Sequence, residues 1–297
     1  MAALALLWGS SFLWTKVALE GLTAAQTVVV RLTLAAAVLV PVAYALGHRM
    51  PASRGLWLHL GVAAVFGNVV PYVLFAVGLE DIDSAAGGML NATTPLWTLL
   101  LAIAVRQTKN VSRAQLVGIV VALAGTLLIF TPWDLGTQFT TWAAFACLCA
   151  AFSYAISYVY LARFLAGRDI SPLVLSAGQL VAASLISILV VMPVDGLAAP
   201  VWRFDVVASV VILGVLGTGV AYILNYRIIS DDGPVAASAV VYLLPLVAVG
   251  LGVLVLDERP APTALAGVVV VLAGVALTRW NGRPPSRRDA VTGRRRR

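Results

Sequence analysis

Charge is what this chain has least of. Of its 297 residues 11% are charged and 61% are hydrophobic, against about 25% charged in a soluble domain. The bulk of the chain therefore cannot be a water-facing globule, and lipid is the solvent its composition suits. Cysteine is nearly missing. Cys147 and Cys149 sit two apart in one apolar run, point to different faces of a helix and cannot pair with each other. Neither a disulfide framework nor a cysteine-rich metal site is implied. Histidine is as scarce: His48 and His59 fall near one end of the third apolar run, where an interfacial place suits them. Residues 1–10 lack the basic stretch of a secretory signal, so they are expected to persist as a helix.

Acids are missing where a pump would need them. Glu20, Glu80, Asp81, Asp83, Asp134, Asp169, Asp195, Asp205, Asp231, Asp232, Asp257, Glu258 and Asp289 all lie in connections, at span ends or in the tail. A proton-coupled pump usually carries an ionisable group inside the membrane. Proton coupling is therefore unsupported, with only Glu20 and Glu258 placed to reach inward from an end. The basic excess is uneven too. Net charge is +7, yet eight of the twenty basic residues lie at or beyond Arg279. That makes a basic tail rather than a face for nucleic acid, and no nucleic-acid partner is expected.

What the chain does have is a message said twice. Gly67, Val70, Tyr72, Leu74, Asp81, Ala86, Pro95 and Leu96 match Gly217, Val220, Tyr222, Leu224, Asp231, Ala236, Pro245 and Leu246 at an offset of 150 residues. After the loss of one residue, Leu116, Gly118, Val120, Val121, Leu123, Ala124 and Gly125 match Leu265, Gly267, Val269, Val270, Leu272, Ala273 and Gly274 at an offset of 149. Shared apolar composition does not produce matched Pro, Gly and Tyr in register. Internal duplication of a membrane unit is a recurrent sign of a secondary transporter.

A bilayer core about 30 Å thick takes about 20 apolar residues of helix. Ten candidate spans fit: 2–19, 22–46, 56–79, 84–105, 114–131, 141–162, 170–194, 206–226, 233–256 and 261–278. Only Lys16 and Arg31 put a full charge inside one. The expected fold is an all-α membrane protein without a soluble domain. Residues 1–131 form the first five-helix repeat, 141–280 the second, and 281–297 a disordered basic cytoplasmic tail. With the N-terminus in the cytoplasm, sixteen of the twenty basic residues fall on the cytoplasmic side and three outside. Without the tail the bias is still eight to three, as the positive-inside rule asks. Five helices per repeat is an odd number, so the second repeat enters the membrane in the opposite sense. This is the inverted-repeat arrangement, with both termini cytoplasmic.

The first helix opens Leu7-Trp8-Gly9-Ser10-Ser11-Phe12. The second repeat carries residues 217–226, then Ala236, Pro245 and the turn Asp257-Glu258-Arg259 before a Gly-rich last helix. In this order the chain resembles the EamA-type proteins of the drug/metabolite transporter superfamily over nearly its whole length, as two EamA-like units. The resemblance implies a ten-helix bundle that moves small metabolites, often outward, across the plasma membrane. One departure stands out. The family usually has a Glu at the turn after the fourth helix, matching Glu258, and this chain reads Arg106-Gln107-Thr108-Lys109 there.

Polar side chains inside spans are expected to face the bundle interior or a watery cavity. Trp8, Ser11 and Thr15 share one face of the first helix, and Ser10 with Trp14 another. Asn68 and Tyr72 lie four apart on the third helix, and Tyr222, Asn225 and Tyr226 share a face of the eighth. The candidate substrate-binding set is Trp14, Arg31, Asn68, Tyr72, Asn91, Tyr154, Tyr158, Gln179, Tyr222, Asn225 and Tyr242. For single Ser or Thr residues, plain interhelical hydrogen bonding is the simpler reading. Arg31 sits about ten residues into its span, roughly 15 Å deep, where a charge costs at least ~2.5 kcal/mol on insertion scales. It either faces the cavity and holds an anionic group, or snorkels outward to pair with Glu20. Its register opposite Gln179, at an offset of 148, favours the cavity. Pro95 and Pro245 fall at equivalent places, remove helix hydrogen bonds and are the candidate gating bends. Gly118 with Gly125 and Gly267 with Gly274 make stripes suited to close helix packing.

The function expected is that of a secondary transporter for a small metabolite or drug-like compound. It would work by alternating access around an aromatic and neutral polar cavity. It is not expected to be an enzyme, and no metal or cofactor is implied. A membrane-embedded enzyme acting on a lipid or isoprenoid substrate is the alternative. It would need paired acids, a His-acid set or a metal cluster at one face, and Asp81 with Asp83, on the outer side, is the close pair of note, with no His beside it. The partners expected are a small-molecule substrate and the bilayer, the chain itself being a monomer or weak homodimer.

Overall fold

The computed structural model describes residues 1–82, 84–107, 112–130, 141–195, 198–247 and 262–280. The basic tail at 281–297 and Glu258 with its turn lie outside the described residues. The described chain is helical throughout: α1 Ala2–Leu19, α2 Ala24–Ala45, α3 Arg54–Asp81, α4 Gly87–Ala104, α5 Arg113–Phe130, α6 Trp142–Phe164, α7 Pro172–Val194, α8 Phe204–Asp232, α9 Pro234–Val247 and α10 Pro262–Trp280. Seven of these, α1 to α4 and α6 to α8, are long and apolar enough to cross a membrane; α5, α9 and α10 carry shorter apolar stretches.

Local chemistry sets the helix starts. Thr23 caps α2 with a full capping box: its hydroxyl accepts from the Gln26 N–H at 3.2 Å, and the Gln26 side chain accepts from the Thr23 N–H at 3.1 Å. Ser53, Thr141 and Ser171 cap α3, α6 and α7 in the same way with one bond each. Gly233, at φ +86°, turns α8 directly into α9.

Burial is reversed relative to a soluble protein. Leu13, Leu100, Leu185, Leu189 and Val269 are exposed, while Asn68, Gln179, Ser176 and Thr218 are fully buried. This is the pattern of a bundle whose outside is solvated by lipid.

Two helices pack antiparallel to their repeat counterparts. Along α2 and α7, Thr33 meets Ser184 at 2.8 Å and Gln26 reaches Ala198 O, just past the end of α7, at 2.6 Å. Rising number on one helix runs with falling number on the other. Between α5 and α10 the glycine stripes face each other: a Cβ on Gly118 would lie 2.6 Å from Gly274 O, and one on Gly267 2.7 Å from Gly125 O. Small residues allow this backbone-to-backbone approach. The α5–α10 pair stands to one side, packed on α4 and α9 around Ala92, Leu99, Ile119, Tyr242 and Val271. The larger core lies among α2, α3, α6, α7 and α8.

The two mirrored prolines each follow a lapse in α geometry. In α4 the helix breaks between Asn91 and Thr94, and Pro95 sits in the first turn of the next segment. In α9 the stretch Ala239–Leu243 is 3₁₀, and Pro245 follows it. A proline ring crowds the carbonyl four residues back, here Asn91 and Val241.

Candidate functional site

The site is built on two irregular turns at matched positions. α3 is π-helical over Val65–Val69 and α8 over Ile212–Val220, and the register mates Gly67 and Gly217 lie inside these segments. Pro71 has no N–H to give the Gly67 carbonyl four residues back, and that oxygen accepts from the Tyr222 hydroxyl instead. In α8 the equivalent Ala221 N–H goes to Leu216 and Thr218. The Gly217 carbonyl lies 3.5 Å from Arg31 Nη2. Both glycine carbonyls thus take a side-chain donor from another helix. Such π-turns often mark functional places.

Around these turns the rings repeat the symmetry. Trp8 of α1 meets Tyr222 of α8 edge-on, centroids 6.4 Å apart at 70°. Tyr154 of α6 meets Tyr72 of α3 at 6.5 Å and 69°. An offset of 146 residues separates both Trp8 from Tyr154 and Ser11 from Ser157. Both serines press on the matched glycines: a Cβ on Gly217 would lie 2.9 Å from Ser11 Oγ, and one on Gly67 would collide with Ser157 Oγ.

A cavity of about 90 Å³ opens between the two halves. It is lined by Trp8, Ser11, Thr15, Arg31, Tyr72, Phe75, Asn91, Thr94, Tyr154, Tyr158 and Tyr222, with Ala76, Leu79, Val241 and Leu244. It runs from mid-bundle to Leu79, near the C-terminal end of α3. A second space of about 20 Å³ lies beyond, lined by Gly67, Ser157, Leu161 and Asn225. Trp8, Tyr154, Tyr158 and Tyr222 line both spaces, so four rings form the partition between them. On the far side, Ser153 Oγ donates to Phe66 O at 2.9 Å, tying α6 to the π segment of α3.

Two polar nodes stand at mirrored places. In one, Arg31 of α2 donates from Nε to Thr218 Oγ1 of α8 at 2.6 Å, and its guanidinium lies 4.1 Å from the Tyr72 ring centre. In the other, Gln179 of α7 donates from Nε2 to Asn68 Oδ1 of α3 at 2.7 Å and to Ala63 O at 3.3 Å. Its Oε1 accepts from the Tyr226 hydroxyl at 2.6 Å. Thr218 and Asn68 are register mates at the offset of 150. Gln179, Tyr226 and Asn68 are fully buried. The first node opens on the cavity and carries a charge; the second is neutral and buried, with Asn68 Nδ2 unpartnered among the described residues.

Of the residues singled out by sequence, Arg31, Tyr72, Asn91, Tyr154, Tyr158 and Tyr222 line the large cavity. Asn225 lines the smaller space, its Oδ1 unpartnered among the described residues. Asn68 and Gln179 form the closed node. Trp14 lies away from the cavity, against Val206, Val210 and Leu213, and Tyr242 is buried among α4, α5 and α10. Glu20 is taken by Arg203 at 2.6 Å rather than by Arg31. Hydrogen bonds donated first to Asp205 and second to Glu20 hold the Arg203 guanidinium above the ordinary arginine range. Sequence reasoning had Trp8, Ser11 and Thr15 on one face but chose Trp14, and it missed Phe75 and Thr218. Thr218 was within reach as the register mate of Asn68.

The lining supplies ring faces, hydroxyls, an amide and one cation, groups that can hold a small molecule. Among the described residues no three His, Cys, Asp or Glu side chains come together to hold a metal.

Comparison with known proteins agrees with this architecture. The model of the EamA-like transporter family matches residues 1–131 and again 141–280. A protein of Streptantibioticus cattleyicolor described as a probable terminal-alkyne amino-acid exporter is 30% identical over 97% of this chain and 95% of its own. The uncharacterized transporter YdfC of Bacillus subtilis is 26% identical over 92% of this chain and 87% of its own. The uncharacterized inner membrane transporter YedA of Escherichia coli is 26% identical over 93% and 88%. One solved crystal structure shares the fold, with a TM-score of 0.75 over 95% of this chain and 96% of that one at 20% identity.

Proposed function

Since the chain belongs to the EamA-like transporter family, a family of multi-pass membrane transporters, we propose that it exports a small metabolite or drug-like compound by alternating access around the aromatic cavity. The ten helices would all span the plasma membrane, as two inverted five-helix repeats with both termini cytoplasmic. The antiparallel packing of α2 on α7 and of α5 on α10 supports that reading. An inverted repeat requires each helix to oppose its counterpart.

The observation that carries the proposal is the cavity framed by two mirrored ring pairs and closed at one end by hydrogen bonds. Symmetry-related halves can exchange which end is closed. In one state Tyr222 on Gly67 and the Gln179 node shut the cytoplasmic end, and the cavity opens outward past Phe75 and Leu79. Rocking one half against the other would part these contacts and bring their mirror images together at the outer end. Pro95 and Pro245, each beyond a lapse in helix geometry, are the bends about which α4 and α9 would flex. The substrate suited to rings, hydroxyls and one arginine is small, amphipathic and anionic or zwitterionic. An amino-acid-like compound fits that description, in keeping with the name borne by the S. cattleyicolor relative.

Counterflow in proteoliposomes with a panel of amino acids, purine-like compounds and dyes tests the proposal. At least one preloaded compound should drive uphill uptake of its labelled form, and Tyr222→Ala should lower that uptake with protein level unchanged. Uptake that never exceeds equilibration with any compound in the panel would overturn it.

A further inference from the structure

Taking the large cavity as the substrate site, we infer that Thr218 is a positioning residue that aims Arg31 at the carboxylate of a monoanionic or zwitterionic substrate and so sets the charge selectivity of the transporter. The argument starts from the five N–H donors of a guanidinium. Nε–H is taken by Thr218 Oγ1 at 2.6 Å. Nη2 leans on the Gly217 carbonyl at 3.5 Å. The Tyr72 ring covers one face, 4.1 Å from the guanidinium carbon. Three contacts fix the plane, and neither Nη1 hydrogen has an acceptor among the described residues. Arg31 lines the cavity, so these free donors border the space the substrate fills. A fixed planar fork binds a carboxylate in two-point geometry, whereas a freely turning arginine would spread its hydrogen bonds over many poses.

Thr218 is fitted to this task. It is fully buried and stands on the π segment Ile212–Val220, so its hydroxyl does not wander. The mirrored node shows the alternative outcome. There an amide replaces the guanidinium, Asn68 stands where Thr218 does, and Gln179 spends both its donors and its carbonyl on protein partners. The spare donor of that node is the neutral, buried Asn68 Nδ2, whereas the Arg31 node keeps charged donors at the cavity wall. No acid and no second cation lies among the lining residues, which matches a single negative charge; a phosphate dianion would leave one charge unmatched.

The test uses full-length protein in detergent and matched probe pairs: phenylacetate with phenylacetamide, L-phenylalanine with its amide, and hexanoate with hexanamide. Binding is read by thermal stabilisation and tryptophan fluorescence. The wild type should bind the carboxylate of at least one pair more tightly than its amide. Thr218→Val should weaken that carboxylate about tenfold, as expected for a lost bond to a charged group, and leave the amide within about twofold. Thr218→Ser should restore it. No carboxylate preference in the wild type, equal weakening of both members by Thr218→Val, or failure of Thr218→Ser to rescue each overturns the inference. Should Thr218→Val not purify as one species, Arg31→Gln decides the same point: it must abolish the carboxylate preference, and its persistence overturns the inference. Counterflow of the same carboxylate separates the two readings. Binding without movement keeps the carboxylate subsite and sinks transport, and movement without carboxylate preference does the reverse.

Discussion

Arg31 with Thr218 and Gln179 with Asn68 occupy mirrored places in the two repeats, yet they behave oppositely. In the glutamine node both polar atoms of the Gln179 amide reach protein partners, Tyr226 among them, and the one unpartnered group is the neutral Asn68 Nδ2. The arginine node is only half-satisfied and faces empty space. Around them the halves barely differ. The edge-on ring pairs agree to 0.1 Å and 1° (6.4 Å and 70° against 6.5 Å and 69°). The glycine stripes of α5 and α10 meet as equals. Duplication thus supplied a symmetric frame, and departure from symmetry at one node put a charge in the cavity. A neutral, closed node suits a contact that holds helices together, while an open charged one suits a ligand.

The frame is the first thing to break. Gly274→Leu should lose most of the folded protein, and Gly125→Leu should lose as much, because each side chain would enter the backbone of the opposite helix. The monodisperse fraction on size-exclusion chromatography measures this. A near-normal yield for either would mean that α5 and α10 do not meet along the stripes. Turning the first node into a copy of the second comes next. Arg31→Gln with Thr218→Asn should fold, and carboxylate-bearing substrates should lose on the order of tenfold in apparent affinity or more. Neutral ones should change little. Equal losses for both classes in transport assays would mean that Arg31 serves folding alone.

Gln179→Leu attacks the closed node. It strips Tyr226 and Asn68 of their buried partner at a cost of about 1–2 kcal/mol, between the membrane average per hydrogen bond and the larger penalty of orphaned buried groups. The thermal midpoint should fall, and a cysteine placed at Ser157 should label faster from the cytoplasmic side as that end loosens. Unchanged labelling would show that the ring partition alone keeps the end shut. The smallest effect is expected from Pro71→Ala. A restored N–H can return to the Gly67 carbonyl and compete with the Tyr222 hydroxyl, shifting the midpoint by no more than about 1 kcal/mol. A large loss of transport with this variant would mean that the π turn itself takes part in the cycle.

Much of the frame was legible because it depends on spacing along one chain. Runs of about 20 apolar residues, two glycines seven apart on a helix, and a fixed offset between Tyr72 and Tyr222 are all one-dimensional features. The site was legible in part. Aromatic and amide side chains in lipid-bound helices had to point somewhere wet or shared. Trp8 and Trp14 show where this stops. Both are tryptophans on α1, and which of them meets the cavity depends on how α1 is rolled against α8, where Trp14 packs on Val206, Val210 and Leu213. Glu20 was expected to pair with a snorkelling Arg31, yet Arg203, from the connection before α8, holds it.

The sequence by itself determined the class of solvent, the duplication, the helices and the placement of one arginine deep within an apolar run. It could do so because hydropathy and repeat register are properties of neighbours in the chain. Which polar groups meet was decided only by the tertiary structure. Arg31 and Thr218 are 187 positions apart, and Gln179 and Asn68 are 111 apart. Their pairing depends on how α2, α3, α7 and α8 cross and on the π turns that rotate Gly67 and Gly217 toward their partners. Hydrogen bonds form or fail over a few tenths of an ångström, a precision that side-chain identity alone does not carry and packing does.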